Sequence, residues 1–373
     1  MTTSNKAFES DRDIVAEPVL AMDCALAGAG WHHVRPLNEI VKSQRLRKEE
    51  GTDMAKYRGA LPQLAGDFFM TDGGIETTLI FLEGKELPHF AAFDLFKTPE
   101  GENVLRKYFM TYAELAKRFN TGLILETATW RANPDWAEKL GYSKETLAEA
   151  NAKAVHLIEK IRSEYETPET PIVISGCVGP RGDGYIADCA MSDVEAKDYH
   201  RMQIETFAST AADLVTAITM NYAEEAIGLV QAAKQANMPV VISFTVETDG
   251  RLPTGQSLGD AIKQVDDATS DYPAYFMINC AHPSHFDQVV SGGEPWLERI
   301  RGLRANASHM SHAELNEASE LDAGSPADLG QEYAALKNRQ LKQLNVMGGC
   351  CGTDHRHIEQ ITLACLPLFC EAT

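Results

Sequence analysis

Three cysteines carry the most specific chemistry in the chain. Cys280 follows Asn279, and Cys350 and Cys351 are adjacent inside Gly348-Gly-Cys-Cys-Gly352. Neighbouring side chains normally point in different directions, so both thiols reach one ion only if the backbone bends sharply. Gly348, Gly349 and Gly352 offer that freedom. Three thiolates make a tight zinc site with one open tetrahedral position, the arrangement of a catalytic zinc. A thiol substrate entering that position loses its proton at neutral pH, although its free pKa is about 8.5, and is held as a nucleophile. Residue chemistry alone therefore points to alkyl transfer onto sulfur. Two readings compete: buried cysteines on tight turns, or a vicinal Cys350–Cys351 dithiol in redox exchange without Cys280 or metal.

For the sulfurs to meet, the ends of two distant segments must be neighbours. From residue 68 onward, short apolar runs alternate with amphipathic stretches. The strand candidates are Phe68–Thr71, Gly122–Leu125, Pro171–Ser175, Leu214–Thr219, Pro239–Thr245, Ala274–Asn279, Ile300–Arg304 and Leu344–Met347. Their lack of polar alternation suits parallel strands covered on both sides. Helix signals lie between them: Thr98-Pro-Glu100, the capping box Ser192-Asp-Val-Glu195, and Asn221-Tyr-Ala-Glu224 with Asn221 as cap. Asn103–Phe119, Lys144–Arg162 and Glu225–Gln235 are amphipathic. This alternation predicts a single (β/α)8 barrel. A doubly wound sheet is the alternative, but no Gly-x-Gly-x-x-Gly follows an early strand. Cys280 then lies just past the sixth strand, and Cys350 and Cys351 just past the eighth. Both places are at the C-terminal mouth, where barrel active sites are built.

Residues 1–60 lie outside the pattern and read as an N-terminal extension, either packed on the barrel or a partner subunit, or a partly disordered leader. Residues 61–373 form the barrel. His309–Lys342 reads as a two-helix insertion between strands seven and eight.

Asp72-Gly-Gly-Ile-Glu-Thr-Thr78-Leu, Gly176-Cys-Val-Gly-Pro180, Ser243-Phe-Thr-Val246, Asp249-Gly-Arg-Leu, Ile278-Asn-Cys280 and Gly348-Gly-Cys-Cys-Gly352 occur in strand order. Over about residues 66 to 370 the chain resembles the homocysteine S-methyltransferase family. The resemblance implies a (β/α)8 barrel that binds Zn2+ through Cys280, Cys350 and Cys351. It implies methyl transfer to homocysteine from S-methylmethionine, S-adenosylmethionine, betaine or a similar onium donor. It also implies that Asp72, with Gly73 beside it, contacts the amino-acid thiol or orders the first loop, and that Asn306 donates a hydrogen bond to substrate. One position departs. After strand four the family carries Glu-Thr-x-Pro, whose Glu binds the homocysteine amino group, and this chain has Ile218-Thr-Met-Asn221. Glu126, at the end of strand two, is then a substitute anchor, a site for a cationic donor, or a partner of Arg131.

Other residues at the mouth have readings of their own. The face of Trp130 attracts an onium group or simply packs as a cap. Tyr185 lines the pocket, while Asp183 shapes its loop. Glu247 and Asp249 follow strand five and read as solvated loop carboxylates. Of His282, His285, His309, His312, His355 and His357, one is a conceivable fourth ligand, and the rest read as helix-start or surface residues. Cys177, Cys365 and Cys370 read as core thiols, and Cys24 and Cys189 carry no motif. The catalytic candidates are Asp72, Glu126 and Asn306.

A net charge of −20 over 373 residues, with 44% hydrophobic and 24% charged, argues against nucleic acid or an anionic membrane as a partner. No run approaches the roughly 18 apolar residues of a membrane span, and the polar opening has no signal-peptide core, so the expected location is cytoplasmic. Eight cysteines fit metal or reactive thiols better than a disulfide framework. No segment suits cobalamin or folate, which favours a small diffusible donor. The expected partners are a thiol acceptor and a methyl donor, and a homo-oligomer is compatible. A zinc-bearing binding protein that lost catalysis through the apolar residue at 218 is a further reading.

Overall fold

The computed structural model describes residues 55–318 and 320–370, so the expected N-terminal extension lies outside the described residues up to position 54. Eight parallel strands close into a barrel in sequence order: β1 (Phe69–Met70), β2 (Gly122–Glu126), β3 (Ile172–Val178), β4 (Leu214–Met220), β5 (Val240–Thr245), β6 (Tyr275–Asn279), β7 (Ile300–Ala305) and β8 (Val346–Gly349). β1 pairs with both β2 and β8, which completes the ring. Every strand residue except Arg301 is buried, as the continuous apolar runs require.

The helices start where the sequence offers caps. Thr98 accepts the Gly101 N–H ahead of the helix Pro99–Phe119, and Ser143 and Ser192 close capping boxes on Lys144–Tyr165 and Asp193–Ala208. Asn221 does not cap the next helix. Tyr222 is the N-cap of Ala223–Gln235, without a side-chain hydrogen bond, because the Asn221 side chain turns away to donate to the Asp183 carbonyl at 2.9 Å. Between β7 and β8 both expected helices are present, His312–Glu317 and Pro326–Arg339. The second packs along His355–Cys365 as a member of the outer ring, so the added element is the short first helix and its flanking loops. No helix among the described residues is long and apolar enough to cross a membrane.

Phe69, Ile124, Val173, Leu214, Val241, Tyr275, Met277 and Val346 form an apolar layer with Leu61, and Tyr57 packs against it. Just before that layer, the Arg58 guanidinium donates to the carbonyls of Ala208, Thr210 and Ala212 at 2.7–2.9 Å. The Tyr57 N–H donates to Asp213 at 2.7 Å, and Asp213 also accepts from Arg162 at 2.8 Å. One end of the barrel is therefore plugged, and chemistry is confined to the other.

β8 runs two residues further toward the mouth than its apolar content suggests. Gly348 belongs to the strand because a Cβ there would stand 1.8 Å from Thr71 Oγ1. Close approach of β1 and β8, rather than a bend, is what this glycine provides. We expect Gly348→Ala to destabilise the protein by about 2–3 kcal/mol, the range of an overpacked core. Urea unfolding should show the loss, and Thr71→Ala should recover part of it in the double variant.

Candidate active site

β6 ends at Asn279, and Cys280, 2% exposed, leaves it with a φ of 52°. That left-handed conformation is uncommon outside glycine and redirects the chain at once. The Cys280 N–H donates to the Arg304 carbonyl of β7 at 3.1 Å, and the Cys350 N–H donates to the Ala305 carbonyl at 2.9 Å. The two cysteines thus flank β7 with Cα atoms 5.4 Å apart. Cys350 opens a turn in which the Thr353 N–H and hydroxyl donate to its carbonyl at 3.2 and 2.7 Å. Gly352 occupies the third position with a φ of 80°, which a type II turn assigns to glycine. The bend expected of Gly348 and Gly349 therefore comes from Cys280 and Gly352.

The three sulfurs lie within 4.8 Å of one another, and those of Cys280 and Cys351 are 3.8 Å apart. Two tetrahedral zinc–sulfur bonds of about 2.3 Å place their sulfurs roughly 3.8 Å apart, so the donor set fits such an ion. Cys280 and Cys350 stand in disulfide contact and Cys351 is free, so the vicinal Cys350–Cys351 disulfide of the redox reading is not formed. Desolvation pushes the Cys351 thiol up, partly offset by its contact with the Tyr185 hydroxyl.

Tyr185 reaches into this cluster, with its hydroxyl 3.4 Å from Cys280 Sγ and 3.6 Å from Cys351 Sγ. Its ring packs on His312 at 4.1 Å between centroids. His312 binds the Cys280 carbonyl through Nε2 and faces Glu247 at 3.3 Å, so it orients the loop. Among the described residues no histidine joins the three-sulfur group. His357 is a helix-start residue paired with Asp354, as expected. Cys177 and Cys365 are buried and Cys189 is exposed.

Asn279 received no role from the sequence, yet it organises the site. Its Oδ1 accepts from the Thr219 N–H at 2.9 Å and Ser243 Oγ at 2.7 Å, and its Nδ2 donates to Thr219 Oγ1 at 2.9 Å. The same Nδ2 lies 4.0 Å from Cys350 Sγ. Thr219 has a φ of 64° at a register shift in β4, and that bulge carries Ile218, 6% exposed.

The charged centre of the mouth was also missed in part. Arg304, buried on β7, donates to Asp72 Oδ1 at 2.7 Å, to Glu126 Oε2, and to the Gly349 carbonyl at 3.0 Å. Tyr108 donates to Asp72 Oδ2 at 2.9 Å. Burial pushes both carboxyls up, while Arg304 pulls them down. Glu126 thus pairs with Arg304 and not with Arg131. The Arg131 guanidinium lies between Trp130 and Trp136, 4.1 and 4.0 Å from their ring centres, and donates to the Gly182 carbonyl at 2.8 Å. One face of Trp130 already holds a cation. Gly73 contributes its carbonyl to the Tyr108 and Arg304 cluster. Asn306 is buried with no partner for its Oδ1. Asp249 accepts from the Arg251 N–H at 3.0 Å and shapes its own turn.

Glu76 carries a second overlooked charge. It follows Asp72-Gly73-Gly74, a segment joined to the cysteine turn by the Gly352 N–H donating to Thr77 Oγ1 at 3.0 Å. Among the described residues no cation lies within ion-pair distance of it, and burial, with the Asp72 charge adding, raises its pKa to about 7.

The family model for homocysteine S-methyltransferase matches residues 69–365. The chain belongs to the homocysteine S-methyltransferase family. Betaine–homocysteine S-methyltransferase 1 of Rattus norvegicus is 24% identical over 328 residues, 82% of this chain and 74% of that protein. Homocysteine S-methyltransferase 2 of Arabidopsis thaliana is 21% identical over 322 residues, 79% of this chain and 92% of that one. The crystal structure of the metallated form of the Escherichia coli homocysteine methyltransferase MmuM has a TM-score of 0.63 and 20% identity, covering 81% of this chain and 99% of that chain. At that identity the likeness establishes the barrel fold, which the homocysteine S-methyltransferase family shares, and leaves residue roles to the geometry.

Arg304→Met strands two buried carboxylates and should cost about 3–5 kcal/mol. Without Arg304 both folded-state pKa values rise further above their unfolded values. Stability is then retained at low pH, where both acids are protonated, and lost as pH rises through the folded values. The deficit against wild type should be larger at pH 8 than at pH 5 in thermal unfolding.

Proposed function

We propose that this protein is a zinc-dependent S-methyltransferase that moves a methyl group from a small onium donor to homocysteine or a related thiol. The observation that supports it most is the convergence of the Cys280, Cys350 and Cys351 sulfurs at the mouth, with the Tyr185 hydroxyl against two of them. A zinc ion held by these sulfurs would supply thiol deprotonation and orientation at neutral pH.

The chain's own residues position the two substrates. Tyr185 covers the sulfur cluster and donates to Cys280 Sγ, which limits the approach of an acceptor to one side. The unused Asn306 Oδ1 offers an acceptor for a substrate N–H or O–H. The Asp72–Gly73 loop forms the wall beside the turn, held rigid by Arg304. The Trp130 face away from Arg131 is left for an onium donor. The thiolate attacks the donor methyl in line. A sulfur–carbon bond forms as the carbon–onium bond breaks, and the released electron pair leaves the donor product neutral at that atom. No general acid is required.

Metal analysis of reduced protein should find zinc bound at the three sulfurs, with zinc–sulfur distances near about 2.3 Å by X-ray absorption. Cys280→Ser, Cys350→Ser and Cys351→Ser should each remove that scattering and lower kcat/KM roughly 10³-fold, since metal activation is worth several kcal/mol. Full activity in chelated protein would reject the mechanism.

Charge placement decides how the acceptor is held. Ile218 offers an ammonium nothing, and Asp72 and Glu126 are engaged by Arg304. Glu76 remains, and we assign it the amino group of the acceptor. Glu76→Gln should raise KM for homocysteine about 30-fold, equivalent to about 2 kcal/mol for losing one partner of a desolvated charge pair. KM for 3-mercaptopropionate should not change. An equal effect on both thiols, or none, would remove Glu76 from recognition.

A further inference from the structure

His282, His309 and Glu332 bring three ligand-capable atoms within 4.8 Å of one another. They come from separate elements: the loop after β6, the loop after β7 and the helix Pro326–Arg339. None belongs to the sulfur cluster.

The contact between two of them is incomplete as it stands. His282 Nε2 and Glu332 Oε2 are 3.2 Å apart, yet no hydrogen bond joins them, and Oε2 is buried without a partner. A carboxylate oxygen shut from water without a donor is costly. An ion that receives both lone pairs removes that cost. The imidazoles are also held in a suitable way. Ser284 Oγ lies 2.9 Å from His282 Nδ1 and 3.2 Å from His309 Nδ1. A hydroxyl has two lone pairs and can accept both N–H groups, which leaves each Nε2 lone pair free. A partner on the second ring nitrogen is what orients metal-binding histidines. In the opposite tautomer, His282 Nδ1 accepts from the Ser284 N–H at 3.2 Å. Its proton then sits on Nε2, out of line with Glu332, and Oε2 stays unsatisfied.

We propose that His282, His309 and Glu332 form a second metal site, for a divalent transition ion of the zinc class. Two imidazoles and one carboxylate suit Zn2+ and its neighbours, whereas Ca2+ and Mg2+ favour oxygen alone. His309 is exposed and gives the ion a path from solvent. Such an ion ties the loops after β6 and β7 to the helix that precedes β8. It does not depend on the methyl-transfer reading.

The test is zinc stoichiometry of reduced, tag-free, full-length protein by equilibrium dialysis and elemental analysis. Wild type should bind two equivalents. His309→Ala/Glu332→Gln, which spares the buried His282, should keep one and bind the other at least about 100-fold more weakly, since outer-shell changes alone cost 10–100-fold. Cys280→Ser/Cys351→Ser should also keep one. With Co2+ this cysteine variant should lack sulfur-to-cobalt charge transfer, while the histidine–glutamate variant retains it. Ser284→Ala should weaken the second equivalent about 10–100-fold. A single wild-type equivalent that shows sulfur-to-cobalt charge transfer, or a second that survives His309→Ala/Glu332→Gln at full affinity, would overturn the proposal. Loss of charge transfer from wild type alone would count against the three-cysteine centre instead.

Discussion

The place of β7 between β6 and β8 governs the mouth of this barrel. Neighbouring strands lie about 4.8 Å apart, so residues ending β6 and β8 on a flat sheet would stand roughly 10 Å apart, too far to share an ion. Closure curves the three strands, and both outer chains then turn in over the end of β7. Its last two carbonyls, of Arg304 and Ala305, accept the N–H groups of Cys280 and Cys350. The left-handed backbone of Cys280 completes the approach. A sulfur cluster here is therefore a consequence of barrel closure. The reverse does not hold, because the extensive apolar packing between strands and helices owes nothing to a rim site.

The same strand end places a guanidinium inside the ring. Arg304 joins Asp72 from the end of β1 and Glu126 from β2, so one side chain links three of the strands that carry mouth loops. With both acids ionised the trio carries one excess negative charge in a desolvated place. Burial favours protonation of the acids, and a single shared proton would make the group neutral. Asp72 and Glu126 thus serve first to hold the mouth together. Whatever they do for substrate is done with their charge already compensated.

This explains which features were legible in the sequence. Cys280, Cys350 and Cys351 stood out because thiols are few and their spacing after apolar runs is local information. The strands were visible for the same reason, and β8 was placed two residues early only because Gly348 and Gly349 look like breakers. Their real constraints are side chains, Thr71 just past the first strand for Gly348 and Thr353 of the cysteine turn for Gly349. Arg304 gave no signal, since an arginine at a strand end reads as a solvated residue. Its partners lie 178 and 232 positions away and meet it only on closure. Glu332 was hidden in the same way, within a helix that reads as ordinary. Asn221 had the right type for a cap but was drawn to the Asp183 carbonyl by a loop from β3.

Asn279 couples the β4 bulge to the sulfurs. Its side chain satisfies the N–H and hydroxyl of Thr219, whose left-handed backbone would otherwise leave a buried donor unpaired. The bulge that carries Ile218 is thereby locked by a residue whose amide also faces Cys350. A carboxylate at position 218 would enter a mouth where one guanidinium already serves two acids, and it would arrive on a backbone with no room to withdraw. An apolar residue there is consistent with that charge arrangement. In the proposed function the acid for an ammonium is Glu76, at the start of the helical turn Thr77–Leu82 and outside ion-pair distance of Arg304. Burial, with the Asp72 charge adding, pushes its carboxyl up to about 7, and Arg131 and Arg304 offset this only in part; under the proposed function a cationic group of the acceptor would complete the pairing.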